Sequence, residues 1–384
     1  MVNMIITFAL LLCFVLQNDG AIRQSPEHKW DVPSKKIKVF YTADWPWQIE
    51  YPLRNIEENT CIRFERMKSG FEKGSIIILH SDKCYSDHIG AKPDKDAVFI
   101  YTTHECRHNY YTMLRLYFQA LGLSEEHNRD DRDEYINVNF TNVAEQDRSY
   151  LSTDRNRTLN TTTFGTGYDY GSILHGSPIY YSKNNDQTIK VLGNYSEWVE
   201  KTIGHNSLES FNEYRLLNYL YCNSTCGPDK YEGEKPGCKN FGYQDPNNCS
   251  VCKCPYFARG KNCTTIERSN PRCGNTTIFK ATPEEQLLQY YSEIDCYIYI
   301  YSPQAKRIEI TIKNYKGGNC RRGPNSVEIM YRKDKSVMGL CFCDLRLRHF
   351  NEVKVVTEGI SAHIVYRGTH EHDGLVFSYK TIED

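Results

Sequence analysis

The chain has almost no net charge: 47 lysines and arginines stand against 48 aspartates and glutamates, for a formal balance of −1. That balance excludes the concentrated basic footprint of a nucleic-acid binder. Beyond residue 20 the chain also lacks any apolar run of the ~20 residues that a membrane-spanning helix requires. The one apolar run, Met4 to Leu16, is too short to span, and polar residues follow it to Gly20. Residues 1–20 therefore read as a signal peptide, and the remainder is expected to be soluble and secreted, with no membrane span.

Cysteine is plentiful. There are 16, and removal of Cys13 with the signal leaves 15, far more than a reducing cytosol favours. An odd number implies one unpaired or intermolecular thiol, so the oligomeric state stays open. Asn-x-Ser/Thr sequons begin at Asn139, Asn156, Asn160, Asn194, Asn223, Asn248, Asn262 and Asn275, a density expected of an extracellular glycoprotein. At 384 residues, two or three domains are expected.

Between residues 107 and 121, Tyr110, Met113, Leu114, Tyr117, Phe118 and Leu121 recur at helical spacing, which predicts one buried stripe. Gly122 would close that helix in a left-handed cap. The stretch from Leu114 to Asn137 that contains the helix end, LRLYFQALGLSEEHNRDDRDEYIN, resembles the astacin signature HExxHxxGxxHExxRxDRDxYV. Laid on that signature, the first histidine falls on Arg115, the general-base glutamate on Leu116, the second histidine on Gln119 and the third on Glu125. The frame is kept and each reactive position is changed.

A catalytic zinc needs about three donors with lone pairs and an open position for water. Arg115 has no lone pair and repels a dication, Gln119 offers a neutral amide oxygen, and Glu125 alone makes no site. Leu116 accepts no proton from water. No metal and no cofactor is therefore expected, although active members of the family use zinc. In the family the first and third ligands converge on one point. The resemblance thus implies that Arg115 and Glu125 face each other, with the guanidinium at the metal's position and hydrogen-bonded to the Gln119 amide oxygen.

A second landmark agrees. Tyr168 to Gly176, YDYGSILHG, resembles the family's Met-turn YDYxSVMHY, with Leu174 in place of methionine and Gly176 in place of the transition-state tyrosine. His104-Glu105-Cys106-Arg107-His108 matches HExxH, whose histidines share a helix face. Against it, the position three residues on is Tyr111 rather than glycine, the third-ligand position is Leu114, and the strand-like Asp96–Tyr101 run precedes it. Surface histidines beside a disulfide are the expected reading.

The resemblance extends along the chain and predicts an α+β astacin-like metzincin domain over about 21–222, a small disulfide-rich EGF-like module over 223–266, and an all-β CUB sandwich over 273–383. It implies Cys61–Cys222 and Cys84–Cys106 in the first, Cys226–Cys249, Cys238–Cys252 and Cys254–Cys263 in the second, and Cys273–Cys296 in the third. Cys320 would join Cys341 or Cys343, with Cys341 the preferred partner. Tyr297–Tyr301, Ile308–Ile312 and Val353–Val356 alternate with period two and read as strands. The sandwich calcium site is expected to be lost around Glu328, and His370-Glu371-His372 to be an exposed loop. Glu126 and the Arg129–Tyr135 run read as a solvated loop, or, by resemblance, Glu126 binds a freed N-terminus at Ala21, with no pro-segment and no metal-blocking motif before it.

Three functions compete. The favoured one is a catalytically silent metalloproteinase relative that binds extracellular proteins or peptides. The others are an active zinc endopeptidase acting through His104 and His108, and a purely adhesive extracellular protein.

Overall fold

The computed structural model describes residues 20–42, 46–68, 70–205, 207–227, 235–318, 320, 322–342 and 352–383. The signal-peptide expectation for residues 1–20 lies almost wholly outside them, as does Cys343. Among the described residues no helix is long and apolar enough to cross a membrane.

The N-terminal module is built on a five-stranded sheet. Its strands are β2 (Ile37–Phe40), β3 (Phe64–Arg66), β4 (Ser75–His80), β5 (Tyr85–Ser86) and β6 (Val98–Thr102); β1 (Ile22–Arg23) lies apart from it. The order is β3-β2-β4-β6-β5, parallel except for the antiparallel edge strand β5. The sequence of β4, SIIILH, is a continuous apolar run because both faces of a central parallel strand are covered. Helix α1 (Pro46–Asn59) and helix α3 (Tyr110–Ala120) share one core with it, through Ile49, Ile56, Met113, Tyr117 and Phe118. The predicted helix is split. A short α2 (His104–His108) ends at Asn109, whose side chain accepts from the Thr112 N–H and starts α3 afresh. Gly122, at φ +109°, closes α3 with its N–H on the Gln119 carbonyl.

Below the sheet the chain runs through short turns and the strand pair β7 (Ile136–Val138) and β9 (Ile189–Val191), with β8 (Thr161–Thr162) pairing instead with β1. Helix α4 (Ser196–Val199) follows, and helix α5 (Phe211–Leu217) closes the module. Its N-terminus is fixed by a capping box between Ser210 and Glu213. Cys61–Cys222 ties the module's end to its first helix, and Cys84–Cys106 ties β5 to α2.

Two short hairpins held by Cys226–Cys249, Cys238–Cys252 and Cys254–Cys263 come next. The C-terminal module is a sandwich of a five-stranded and a four-stranded sheet, stapled by Cys273–Cys296. Alternation is plain in Ile308–Lys316, where Ile308, Ile310 and Ile312 point inward at 0–1% exposure. Strands also occupy Asp295–Tyr301 and Val353–Val356, while His370, Glu371 and His372 are exposed between strands.

The pairing of Cys320 with Cys341 is not formed. Cys341 is a free thiol at 1% exposure, and Cys320 is bonded to a different cysteine. Cys341 sits in the buried strand Leu340–Phe342, which also removes it from intermolecular pairing.

The modules are welded together. One apolar cluster runs from Ile136, Tyr168 and Trp198 into Ile298, Ile310 and Phe342 of the sandwich. Asp334 accepts from Arg215 and from the Gly167 N–H, and Asp169 accepts the Met338 N–H at 3.0 Å. Tyr256 of the hairpin module donates to Glu328, which also holds Arg322 at 2.9 Å.

Candidate functional site

A cleft of about 1240 Å³ separates the edge strand β5 from the lower half of the N-terminal module. Its floor is the face of α3 that carries Thr112, Arg115, Leu116 and Gln119. Arg115 and Gln119, four residues apart, share a helix face. The Gly122 turn then reverses the chain so that Glu125 faces both. The Arg115 Nη2 donates to Glu125 Oε1 at 2.8 Å and Oε2 at 2.7 Å, and to the Tyr180 hydroxyl at 3.2 Å. Gln119 Nε2 donates to Glu125 Oε1 at 2.7 Å. The geometry expected for Gln119 is thus inverted: its amide donates to the carboxylate rather than accepting from the guanidinium. One carboxylate with four lone-pair positions satisfies both neighbours better than an amide oxygen satisfies a cation.

The pair is mostly buried, with side-chain exposures of 14% and 10% for Arg115 and Glu125. Burial disfavours the Arg115 charge, but Glu125 and Tyr180 outweigh it and hold the guanidinium above its ordinary pKa. Leu116 lines the same cleft at 3% exposure and offers no base.

Tyr180 is the site residue that sequence reasoning missed. A Cβ on Gly176 would lie 2.9 Å from the Tyr180 ring, so a side chain at 176 and this tyrosine exclude one another. The phenol therefore arrives four residues late. Tyr181 follows at φ +52°, a left-handed conformation that turns its ring at 89° to Tyr180 and lays it parallel to Tyr150, with centroids 4.4 Å apart. The Tyr180-Tyr181 doublet just after Gly176 was the available signal. Arg23 and His88 also line the cleft; burial, and then Arg23, push the His88 imidazole down to about 4.

Beneath the floor the Arg129–Tyr135 run is only in part the solvated loop expected: Asp133 and Glu134 are exposed, whereas Arg129 and Arg132 are buried. Arg129, 1% exposed, donates to Glu126, to both Asp131 oxygens and to the Thr166 and Gly167 carbonyls. Glu126 takes the Asp169 N–H at 2.7 Å, while the Ala21 N–H goes to the Thr162 carbonyl. Burial raises the Glu126 carboxyl to about 7 against the pull of Arg129. Leu174 packs in the core at 2% exposure and its carbonyl accepts the Glu126 N–H at 3.3 Å. This ionic scaffold fixes the cleft floor.

The other sequence candidates stay apart from it. His104 and His108 are exposed on α2, rings 4.3 Å apart, and the His108 Nδ1 faces the His104 carbonyl at 2.7 Å. Among the described residues no group of three or more His, Cys, Asp or Glu side chains is placed to hold a metal. Of the sequon asparagines, Asn262 is half-buried and the other seven are exposed.

A zinc ion does not fit the residues present at the cleft floor. It would have to displace a paired guanidinium, and would then find one carboxylate and one amide as donors.

The chain has counterparts among known proteins. The family model for astacin, a family of peptidases, matches residues 23–222. Zinc metalloproteinase nas-34 of Caenorhabditis elegans is 28% identical over 84% of this chain and 52% of its own length. Zinc metalloproteinase nas-26 of the same organism is 27% identical over 83% of this chain and 78% of its own. Zinc metalloproteinase dpy-31, also of that organism, is 30% identical over 62% of this chain and 39% of its own. The chain thus spans about half the length of nas-34 and less than half of dpy-31. The hatching enzyme zinc-protease of Oryzias latipes superposes with a TM-score of 0.44 at 22% identity, covering 52% of this chain and 98% of that one. With a family match over more than half of its length, in the frame that the Arg115–Tyr135 segment keeps, the chain belongs to the astacin family.

Proposed function

We propose that this astacin-family chain is a secreted, catalytically silent relative of the zinc metalloproteinases that binds extracellular peptide or protein segments in its cleft. The observation that carries this reading is the Arg115–Glu125 pair at 2.7–2.8 Å, a charge-neutral plug at the point where family ligands converge. Leu116 beside it removes the general base as well, so the metal and its activated water are lost together.

The cleft itself is retained. Edge strand β5 has a partner on one side only, and its residues line the cavity. Such an edge suits an extended chain, which gains main-chain hydrogen bonds by adding a strand. We read the three-bridge module as EGF-like and the sandwich as CUB-like, both common in extracellular proteins; the disulfides support secretion. The sequons would carry glycans. A purely adhesive protein has no use for a cleft floor held by so many buried charges.

The test is to secrete the full chain from eukaryotic cells and assay casein and gelatin cleavage from pH 5 to 9. No hydrolysis is expected, together with saturable binding of an extended peptide that a cleft variant, Tyr85→Pro, weakens. Chelator-sensitive cleavage would defeat the proposal.

A further inference from the structure

The Arg115 guanidinium is only half used. All three of its hydrogen bonds leave from Nη2, and among the described residues Nε and Nη1 donate to no group. Its side chain remains 14% exposed in the cleft, with the Tyr180 ring 5.7 Å from Cζ on one flank. The planar fork that matches a carboxylate is therefore anchored by one nitrogen and offers its other edge to the cavity.

The remaining charges of the cleft lean the same way. Its cations are Arg23, Lys83, Arg115 and Arg157, and its anions are Asp87, Asp147 and Glu125. Glu125 is committed to Arg115, and Asp87 is held by Lys92 at 2.5 Å and by the Phe99 N–H. Arg157 Nη1 lies 3.6 Å from Asp154 Oδ1, an ion pair without a direct hydrogen bond, and the Nε of Arg23 is a buried donor with no acceptor. Burial holds the Arg23 guanidinium below its ordinary pKa, and the like charge of Arg157 in the same cavity adds to that depression. A buried donor without a partner is rare, and the residue that carries this one lines the same cavity as the half-free guanidinium.

We propose that the cleft is a carboxylate-recognition site, in which Arg115 Nε and Nη1 grip a carboxylate of an extended peptide lying along β5, with Arg23 and Arg157 adding positive field. The proposal rests on the reading that the cleft binds peptide. The shared chemistry is a peptide carboxylate, either a chain terminus or an Asp or Glu side chain. The edge strand favours a peptide over a sulfated sugar, which has no backbone to pair.

The test uses the full secreted chain and four fluorescent probes in anisotropy titrations at low salt. They are an acetylated hexa-alanine peptide with a free C-terminus, the same peptide amidated, an amidated version with a central glutamate, and a heparin hexasaccharide. One or both carboxylate peptides are expected to bind at least tenfold tighter than the neutral amide, and whichever does identifies the source. The preference should vanish in Arg115→Lys, which keeps a cation for Glu125 and loses the fork, and shrink in Arg23→Gln, which leaves the Arg115–Glu125 pair intact. Equal binding of the neutral amide overturns the carboxylate site while leaving peptide binding standing. Failure of all three peptides overturns both, and tighter binding of heparin alone assigns the charges to a sugar and overturns the proposal.

Discussion

Arg115 and Glu125, ten residues apart on either side of the Gly122 turn, meet through one nitrogen and both carboxylate oxygens. Removing one partner of a mostly buried pair strands the other charge, whereas replacing both with apolar groups of similar volume is nearly neutral. Arg115→Met is therefore expected to lower unfolding stability by about 2–3 kcal/mol. Arg115→Met combined with Glu125→Leu should recover most of that loss. Urea denaturation of the three proteins measures both values, and a double variant as unstable as the single one would contradict the pairing.

Under the proposed reading, Arg115, Leu116, Gln119 and Glu125 stand at the positions where the astacin signature carries its metal ligands and base. Four substitutions, Arg115→His, Leu116→Glu, Gln119→His and Glu125→His, are expected to create zinc binding near one equivalent, read by metal analysis after dialysis. Activity is expected to stay low, since Tyr180 rather than a residue at 176 supplies the phenol. Zinc far below one equivalent would mean that the alignment of these four positions is displaced.

Asp154 is fully buried and burial raises its carboxyl to about 7, only partly offset by the Ser124 hydroxyl and Arg157. With the folded value above the unfolded one, the folded state holds the proton longer, and stability falls as pH rises from about 4 to about 7. The depressed imidazoles of His88 and His175, both about 4, act oppositely, losing stability as pH falls below about 6.5. The Asp154→Asn variant isolates the first effect. Its stability relative to the parent should improve steadily between about pH 4.5 and 7. A pH-independent difference would show that Asp154 is not the buried proton.

Much of this was legible in the chain. The apolar stripe of α3 and its end at Gly122 follow from spacing and capping, the restart at Asn109 does not, and the facing of Arg115 and Glu125 followed from the signature frame. The direction of the Gln119 amide was not legible, because it depends on which neighbour wins a shared carboxylate. Nor was Tyr180, whose place depends on the missing side chain at Gly176. The polar run from Arg129 looked like a surface loop because composition cannot show that Glu126, Asp131 and two carbonyls converge on one guanidinium. That Cys341 stays a free thiol was not legible either, because it turned on strand register: Cys341 lies opposite Glu328 in the sheet.

Cys341 is 1% exposed, and burial, then Glu328, push its thiol far above the ordinary range. Thiolate is the reactive form, so native protein should resist iodoacetamide at pH 8 at this position. In guanidinium the same residue should label fully, as peptide mass mapping would record. Rapid native labelling of Cys341 would contradict its burial.

The loss of the metal is tested most directly by the zinc content of the secreted, glycosylated protein, measured by plasma mass spectrometry after exchange against zinc-containing buffer and then metal-free buffer. Zinc well below about 0.1 equivalents, with peptide hydrolysis absent, is the expected result. One equivalent of retained zinc, with hydrolysis abolished by a chelator, would contradict it.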